Sequence, residues 1–229
     1  MGRSPFVVGV DPALNGAAVL LDDGRARIAW TWKQVQRSGL SVFRLATIRL
    51  VGDVARATVR TIPTLGMVGE AIAADLWNTT GSPCIRLFAE ATHVRFVTAA
   101  ISIEGSAGRV LGPIERYADG WTSTRIKASE WRRLLLRMAS FTGRDAAKLA
   151  AERFVPPLVP GLDALIERLR LDLGSDRFDP EHIYDAAGVA ACGARHGDDG
   201  WPDDSKRTRR PSLSGPRGST GRRVKASAA

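Results

Sequence analysis

The order of short apolar stretches along this 229-residue chain predicts an α/β fold. Three of them come first, at residues 6–11, 16–22 and 26–32, and each is bounded by turn residues, as strands are. Two further predicted strands, 84–91 and 120–127, alternate with helical patterns, which is typical of α/β proteins. We therefore expect a mixed five-stranded sheet flanked by helices, with an antiparallel start.

The remaining elements follow from periodicity and capping residues. The third strand alternates well enough to place Trp30 and Trp32 on one face, whereas residues 40–62 fit helix and strand patterns alike. Ser129 is the predicted N-cap of one helix, and Asp179 followed by Pro180 begins the last one. Helices are predicted at 65–76, 97–107, 130–138, 144–154 and 161–171, and from "DPEH" onward.

Charge and composition narrow the class of partner. Lys and Arg number 33 against 24 Asp and Glu, which leaves a net charge of +9 and favours a polyanion, nucleic acid before an anionic membrane surface. No run approaches the ~18 apolar residues that span a bilayer, so no membrane partner is expected. Cys84 and Cys192 are too few for a disulfide framework or a zinc site, and a reducing, cytoplasmic setting follows.

The end of the chain differs in composition from the rest. Residues 198–229 contain eight Lys or Arg and four Asp, with few large apolar side chains. Such a segment buries too little surface to offset the entropy of ordering it. We expect one domain over residues 1–197 and a disordered basic tail over 198–229.

Three acidic positions stand out from the other charges. Asp11 ends the first strand, Glu90 ends the fourth, and His182 and Asp185 lie three residues apart on one face of the last helix. If the two strands are neighbours and the helix crosses their ends, these four side chains converge. Taken singly, each has an ordinary alternative: a turn at Asp11, an ion pair for Glu90, a helix-terminal histidine at position 182.

A cluster of this kind needs a counter-charge. Two like charges ~4 Å apart at an effective dielectric of ~20 repel by about 4 kcal/mol. Carboxylate oxygens suit Mg²⁺ or Mn²⁺, and two such ions can stabilise both the attacking and the leaving oxygen of a phosphodiester. The sequence therefore predicts a site for two Mg²⁺, or Mn²⁺, formed by Asp11, Glu90, His182 and Asp185, with Asp179 and Glu181 as substitutes for the histidine.

These residues also carry a family resemblance. "VVGVDPALNGAAVL", the strand-ending Glu90 and "HIYDAAGVAACGARH" are similar to the RuvC-type Holliday-junction resolvases, and "GRVLGPIERYADGWTSTRIKASEWRRLL" resembles their fifth strand and following helix. The resemblance implies an RNase H-like fold over residues 6–196. It also implies that Asp11 bridges two cations, that Glu90 and Asp185 each complete one site, and that His182 coordinates a cation or orients the attacking water.

The function expected from this resemblance is metal-dependent cleavage of branched DNA, most of all Holliday junctions, which leaves a 5′-phosphate and a 3′-hydroxyl. Arg125 and Lys127 on the fifth strand and Arg144 and Lys148 on a helix are the predicted phosphate contacts. We expect a homodimer, in the nucleoid or, if phage-encoded, in the host cytoplasm. The alternatives are another RNase H-like nuclease, acting on RNA–DNA hybrids or flaps, and a catalytically inactive DNA-binding protein of the same fold.

Overall fold

The computed structural model describes residues 6–81, 85–91, 97–117, 123–137, 144–173 and 178–196. The predicted tail from residue 198 onward lies outside these ranges. The strands are β1 (Phe6–Asp11), β2 (Gly16–Asp22), β3 (Arg25–Arg37), β4 (Leu40–Val51), β5 (Val54–Ile62), β6 (Arg86–Ala91) and β7 (Thr124–Lys127). The helices are α1 (Leu65–Thr80), α2 (Val97–Tyr117), α3 (Ala128–Leu136), α4 (Arg144–Phe154), α5 (Leu162–Leu173) and α6 (Glu181–His196).

All seven described strands form a single mixed sheet, in the order β5-β4-β3-β2-β1-β6-β7. The first five strands pair antiparallel with one another, while β6 is parallel to both β1 and β7. The α/β class and the flanking helices are therefore confirmed, and the fourth predicted strand does lie beside the first. The predicted number of five strands is wrong, because residues 40–62 add two more.

The two strands beyond the predicted five are β4 and β5, and tight turns before and after β4 produce them. Residues 23–24, 38–39 and 52–53 are two-residue connections between adjacent antiparallel strands. Asp23 and Gly24 both have positive φ, and so do Ser38 and Gly39, which is the backbone shape that matches the twist of a hairpin. Alternation along β5 exposes every second residue, as expected of a strand at the edge of a sheet.

One face of the sheet packs against α1 and α2 and holds the main apolar core. Trp30 and Trp32 lie together in this core, as their spacing predicts. The helices contribute apolar residues at helical spacing: Leu65, Val68, Ile72 and Leu76 from α1, and Ala107, Val110, Leu111 and Ile114 from α2. Helix α2 reaches Tyr117, past the end predicted at 107, because this apolar face continues beyond its glycines and its internal Pro113.

The opposite face is covered by α6, which packs on β1, β2 and β6, and by α5, which packs on the outer strands. The approach of α6 is close because small residues line it. A Cβ at Gly9 would stand 2.1 Å from the Ala186 carbonyl oxygen and 2.7 Å from the Cβ of Ala190. Gly9 therefore allows α6 to lie directly on the central strand, which fixes where the first turn of α6 stands.

The helix boundaries that matter for the site are those of α3 and α6. Asp179 accepts a hydrogen bond from the Glu181 backbone N–H at 2.9 Å, as the predicted N-cap requires. Ser129 is not the N-cap of α3: that position is Lys127, whose backbone N–H donates to Glu130 Oε2 at 3.1 Å. Among the described helices, none is both long and apolar enough to cross a membrane.

Candidate active site

Asp11 and Glu90 lie at the carboxyl ends of two neighbouring parallel strands. Val10 on β1 is level with Ala89 on β6, so Asp11 and Glu90 are the next residues along each strand. The crevice beyond the carboxyl ends of parallel strands is where ligands bind in open α/β sheets. The strand register by itself therefore places both carboxylates at one edge of the sheet.

The first turns of α6 bring the other two predicted residues to the same edge. His182 Nδ1 lies 2.6 Å from Asp11 Oδ2, across 171 positions of sequence. Asp185, one turn further along α6, is only 9% exposed. The structure thus brings Asp11, His182 and Asp185 together around the end of β1, as the sequence predicts.

Helix α3 supplies two further side chains to the cluster. The indole N–H of Trp131 donates to Glu90 Oε2 at 3.1 Å, and the guanidinium of Arg132 donates to Asp185 Oδ1 at 2.8 Å. The Trp131 side chain is fully buried, and the Arg132 guanidinium lies 4.9 Å from its ring centroid. Adjacent residues of one helix therefore hold two different carboxylates of the site.

Gly188 on α6 makes room for this arrangement. A Cβ at this position would stand 2.4 Å from a carbon of the Trp131 ring. Any side chain there would therefore displace the indole that donates to Glu90. The absence of a side chain at position 188 is part of how the site is built.

Burial, together with repulsion between the acids, raises the pKa of two of the carboxyl groups, Glu90 and Asp185. Burial, followed by the charges of Asp185 and Asp11, raises the pKa of Glu90 to about 8, despite the opposing effects of Arg132 and the Trp131 hydrogen bond. Burial also raises the pKa of Asp185, against the charge and hydrogen bond of Arg132. Glu90 therefore favours its protonated form at neutral pH, and ionising all three acids together would leave more negative charge than Arg132 alone compensates.

Nearby acids also shift the pKa of the His182 imidazole. Burial lowers its pKa, but the hydrogen bond and charge of Asp11, followed by the charges of Asp179 and Glu181, together raise the pKa above its usual value. Asp179 and Glu181 therefore act on His182 through charge. His182 itself makes the contact with Asp11.

The donor set has the chemistry that a hard divalent cation requires. Three carboxylates and an imidazole meet at one edge of the sheet, and the mutual repulsion of the acids is what such an ion relieves. Each side chain is nevertheless turned to a protein partner: Asp11 to His182, Glu90 to Trp131, Asp185 to Arg132. As they stand, no three His, Cys, Asp or Glu side chains of the described residues are grouped to hold a metal ion.

Three of the four predicted phosphate contacts have described side chains, on two different elements of the fold. Arg125 and Lys127 are both exposed on β7, next to the strand that carries Glu90. Lys148 on α4 pairs with Glu181 at the start of α6, which places it beside the acidic cluster. Arg144 is the first residue of α4, and its side chain lies outside the described part of the molecule.

Trp131 and Arg132 are the site residues that sequence reasoning missed. Both belong to a predicted helix, but neither has a motif of its own. The amphipathic pattern of α3 could have identified them. Trp131 and Leu135 form the buried side of this helix, and Arg132 is the residue directly after Trp131. An arginine adjacent to a buried tryptophan near a cluster of acids is a candidate for pairing with one of them.

No family model matches the chain, and no curated protein matches it. Among solved structures, four chains match, one of them T. thermophilus RuvC in complex with a Holliday junction substrate. That structure is 14% identical, with a TM-score of 0.43, over 84% of this chain and 94% of the RuvC chain.

Proposed function

We propose that this protein is a metal-dependent, structure-selective endodeoxyribonuclease that cleaves branched DNA, Holliday junctions in particular. One observation carries the proposal: Asp11, Glu90 and Asp185 lie close together at the ends of β1 and β6, where burial, followed by the charges of Asp185 and Asp11, raises the pKa of Glu90. An acidic cluster that its own side chains do not neutralise is suited to bind cations.

Asp11, Glu90 and Asp185 are the residues that would hold two Mg²⁺, or Mn²⁺. When bound, such ions supply Lewis-acid stabilisation of the attacking and leaving oxygens in an in-line displacement at phosphorus. The fold fixes the backbone positions that carry the carboxylates: the strand register sets those of Asp11 and Glu90, and the close packing of α6 on Gly9 sets that of Asp185.

His182 is proposed either to coordinate one of the cations or to orient the attacking water. An ionised Asp11 only accepts hydrogen bonds, so His182 Nδ1 carries the hydrogen in their 2.6 Å contact. In the neutral imidazole, Nε2 is then an acceptor, which suits it to orient a water and receive its proton. Attack by that water on the scissile phosphate leaves a 5′-phosphate and a 3′-hydroxyl.

Arg125, Lys127, Arg144 and Lys148 are proposed to contact the phosphates that flank the cut, since phosphate contacts position a duplex without reading its sequence. The proposed assembly is a homodimer, because two-fold symmetry places two equivalent sites on a four-armed substrate.

The decisive experiment compares cleavage of a synthetic four-way junction, a flap, an RNA–DNA hybrid and a linear duplex, with Mg²⁺ and with EDTA. We expect Mg²⁺-dependent nicking of the junction above all other substrates, and none by Asp11→Asn. Asp53→Asn is the matched control, because Asp53 is an acid with a 95% exposed side chain in a hairpin turn.

Two outcomes would contradict the proposal. Preferred cleavage of the hybrid or the flap would indicate another nuclease of this fold class. A gel shift of the junction without any cleavage would indicate a DNA-binding protein that lacks catalysis.

A further inference from the structure

Arg132 is the described cation in contact with the acidic cluster, and it is nearly as buried as the acids. Its side chain is 13% exposed and donates to Asp185 Oδ1 at 2.8 Å. Its charge also lowers the pKa of Glu90, which sits on a different element of the fold. The guanidinium therefore acts on two of the three proposed cation ligands at once.

The hydrogen bonding of this guanidinium is incomplete. Arg132 Nε is buried and has no hydrogen-bond partner, while one NH2 group is committed to Asp185. Burying a charged group with unmet donors is costly, and the nearby carboxylates are what offsets that cost. Arg132 is thus held by its attraction to the acids more than by a completed set of hydrogen bonds.

We propose that Arg132 is the counter-ion of the acidic cluster and that its hydrogen bond to Asp185 sets how tightly the site binds a divalent cation. This inference rests on the proposed metal site. A fixed positive charge a few ångströms from a divalent ion opposes its binding. For Asp185 to act as a ligand through Oδ1, the Arg132 contact has to be weakened or replaced.

With Asp185 bonded to Arg132 and Glu90 bonded to Trp131, two of the three carboxylates are oriented by α3. Arg132 offsets the repulsion between the acids, and it competes with a divalent cation for Asp185. Arg132 is therefore a positioning residue, and its effect is measured as a change in the affinity of the acidic cluster for a divalent cation.

The test is a Mn²⁺ titration of the full-length protein without DNA, by calorimetry and by the paramagnetic resonance signal of free Mn²⁺. Arg132→Met keeps an unbranched apolar stem but removes the guanidinium and its charge. We expect about tenfold tighter Mn²⁺ binding than in the parent. Arg132→Lys keeps the charge and should bind Mn²⁺ like the parent, and so should the control Arg116→Met, on the exposed last turn of α2.

A second measurement covers the case in which Arg132→Met is poorly folded without metal. Because a ligand that binds only the folded state stabilises it, saturating Mn²⁺ should raise the melting temperature of Arg132→Met by more than it raises that of the parent. An equal or smaller rise would overturn the inference.

The remaining outcomes separate this inference from the proposed function. Equal or weaker Mn²⁺ binding by Arg132→Met, with a parent that binds Mn²⁺ and cleaves junctions, overturns the counter-ion role alone. Tighter binding by both Arg132→Met and Arg132→Lys also overturns it, because charge would not be the cause. Absence of Mn²⁺ binding in every variant overturns both proposals.

Discussion

Asp75 and Asp11 are two carboxylates with the same side-chain exposure, 14%, and opposite surroundings. Asp75, on α1, accepts hydrogen bonds from the Trp30 indole at 3.0 Å and from Arg60 at 2.9 Å, and pairs with Arg49 at 3.0 Å. Asp11 contacts His182, and its charge adds to that of Glu90 and Asp185.

The difference separates a structural acid from a functional one. Around Asp75 the donors outnumber the acid, so its charge is compensated within the protein and its role is to tie α1 to the sheet. Around Asp11 each of the three acids has a single donor, and Arg132 is the one of these donors with a permanent charge, so the ionised cluster is not fully compensated by them. Burial alone does not distinguish the two, whereas the ratio of acids to donors does.

The largest expected effect is on catalysis at Asp11. Asp11→Asn removes the negative charge of this carboxylate while keeping the shape of the side chain. We therefore expect the cleavage rate to fall by about 1,000-fold or more. Junction binding should stay the same or become stronger, because a negative charge near the DNA is lost. Cleavage assays with gel-shift measurements on one junction check both, and near-normal turnover in Mg²⁺ would refute the assignment of Asp11.

The second prediction concerns the stability of the metal-free protein. With the pKa of Glu90 near 8 in the folded state, against 4.5 for the unperturbed group, the folded chain retains a proton that the unfolded chain has released between these pH values. The free energy of unfolding should therefore fall as pH rises from about 5 to 8, by about 3 kcal/mol. The raised pKa values of His182 and Asp185 act with the same sign.

Glu90→Gln isolates this contribution. Glutamine resembles the protonated acid and can still accept from Trp131, so the variant should match the parent at pH 5 and be more stable at pH 8. Denaturant unfolding in EDTA at several pH values measures it. Parallel pH curves for the two proteins would show that Glu90 is not the group responsible.

The next largest effect is expected on the cleavage rate of His182 variants. Imidazole is a softer ligand than carboxylate, so the parent should tolerate or prefer Mn²⁺ over Mg²⁺. His182→Ala should lose about 100-fold in cleavage rate, while His182→Asp should retain activity and shift the preference toward Mg²⁺. The measurement is the junction cleavage rate across both metal titrations. Equal rates for His182→Ala and the parent would make His182 a structural residue only.

Asp75→Ala is the matching test of the structural acid. It leaves the Trp30 N–H without its acceptor, while Arg49 and Arg60 regain water at their partly exposed positions. We expect a loss of about 2 kcal/mol in the free energy of unfolding, with an unchanged cleavage rate in the folded protein. A large loss of cleavage in folded Asp75→Ala would mean that the two acids are not separable in function.

The smallest effect is expected at the exposed cations of β7. Arg125→Gln and Lys127→Gln should each weaken binding to all DNA shapes alike and flatten the log–log salt dependence by about 0.9 per lost phosphate contact. Arg56→Gln, exposed on the far edge strand β5, is the control and should change neither quantity. Unchanged slopes at both β7 positions would remove them from the DNA interface.

The sequence alone determined the elements that carry the site. The apolar runs that stop at Asp11 and Glu90, and the spacing of His182 and Asp185, are local patterns, and local patterns predict where strands end and which residues share a helix face. The short turns at residues 38–39 and 52–53 were equally local, and turn chemistry could have resolved 40–62 as two strands. These features need no knowledge of distant contacts.

Only the tertiary structure decided what each acid touches. The pairing of Asp185 with Arg132, of Glu90 with Trp131 and of Asp75 with Trp30 joins residues 53, 41 and 45 positions apart. Contacts at such separations depend on how α1, α3 and α6 pack on the sheet, and no periodicity encodes them. The physical reason is that a charge is compensated in space, so whether an acid is structural or functional depends on neighbours brought by the fold.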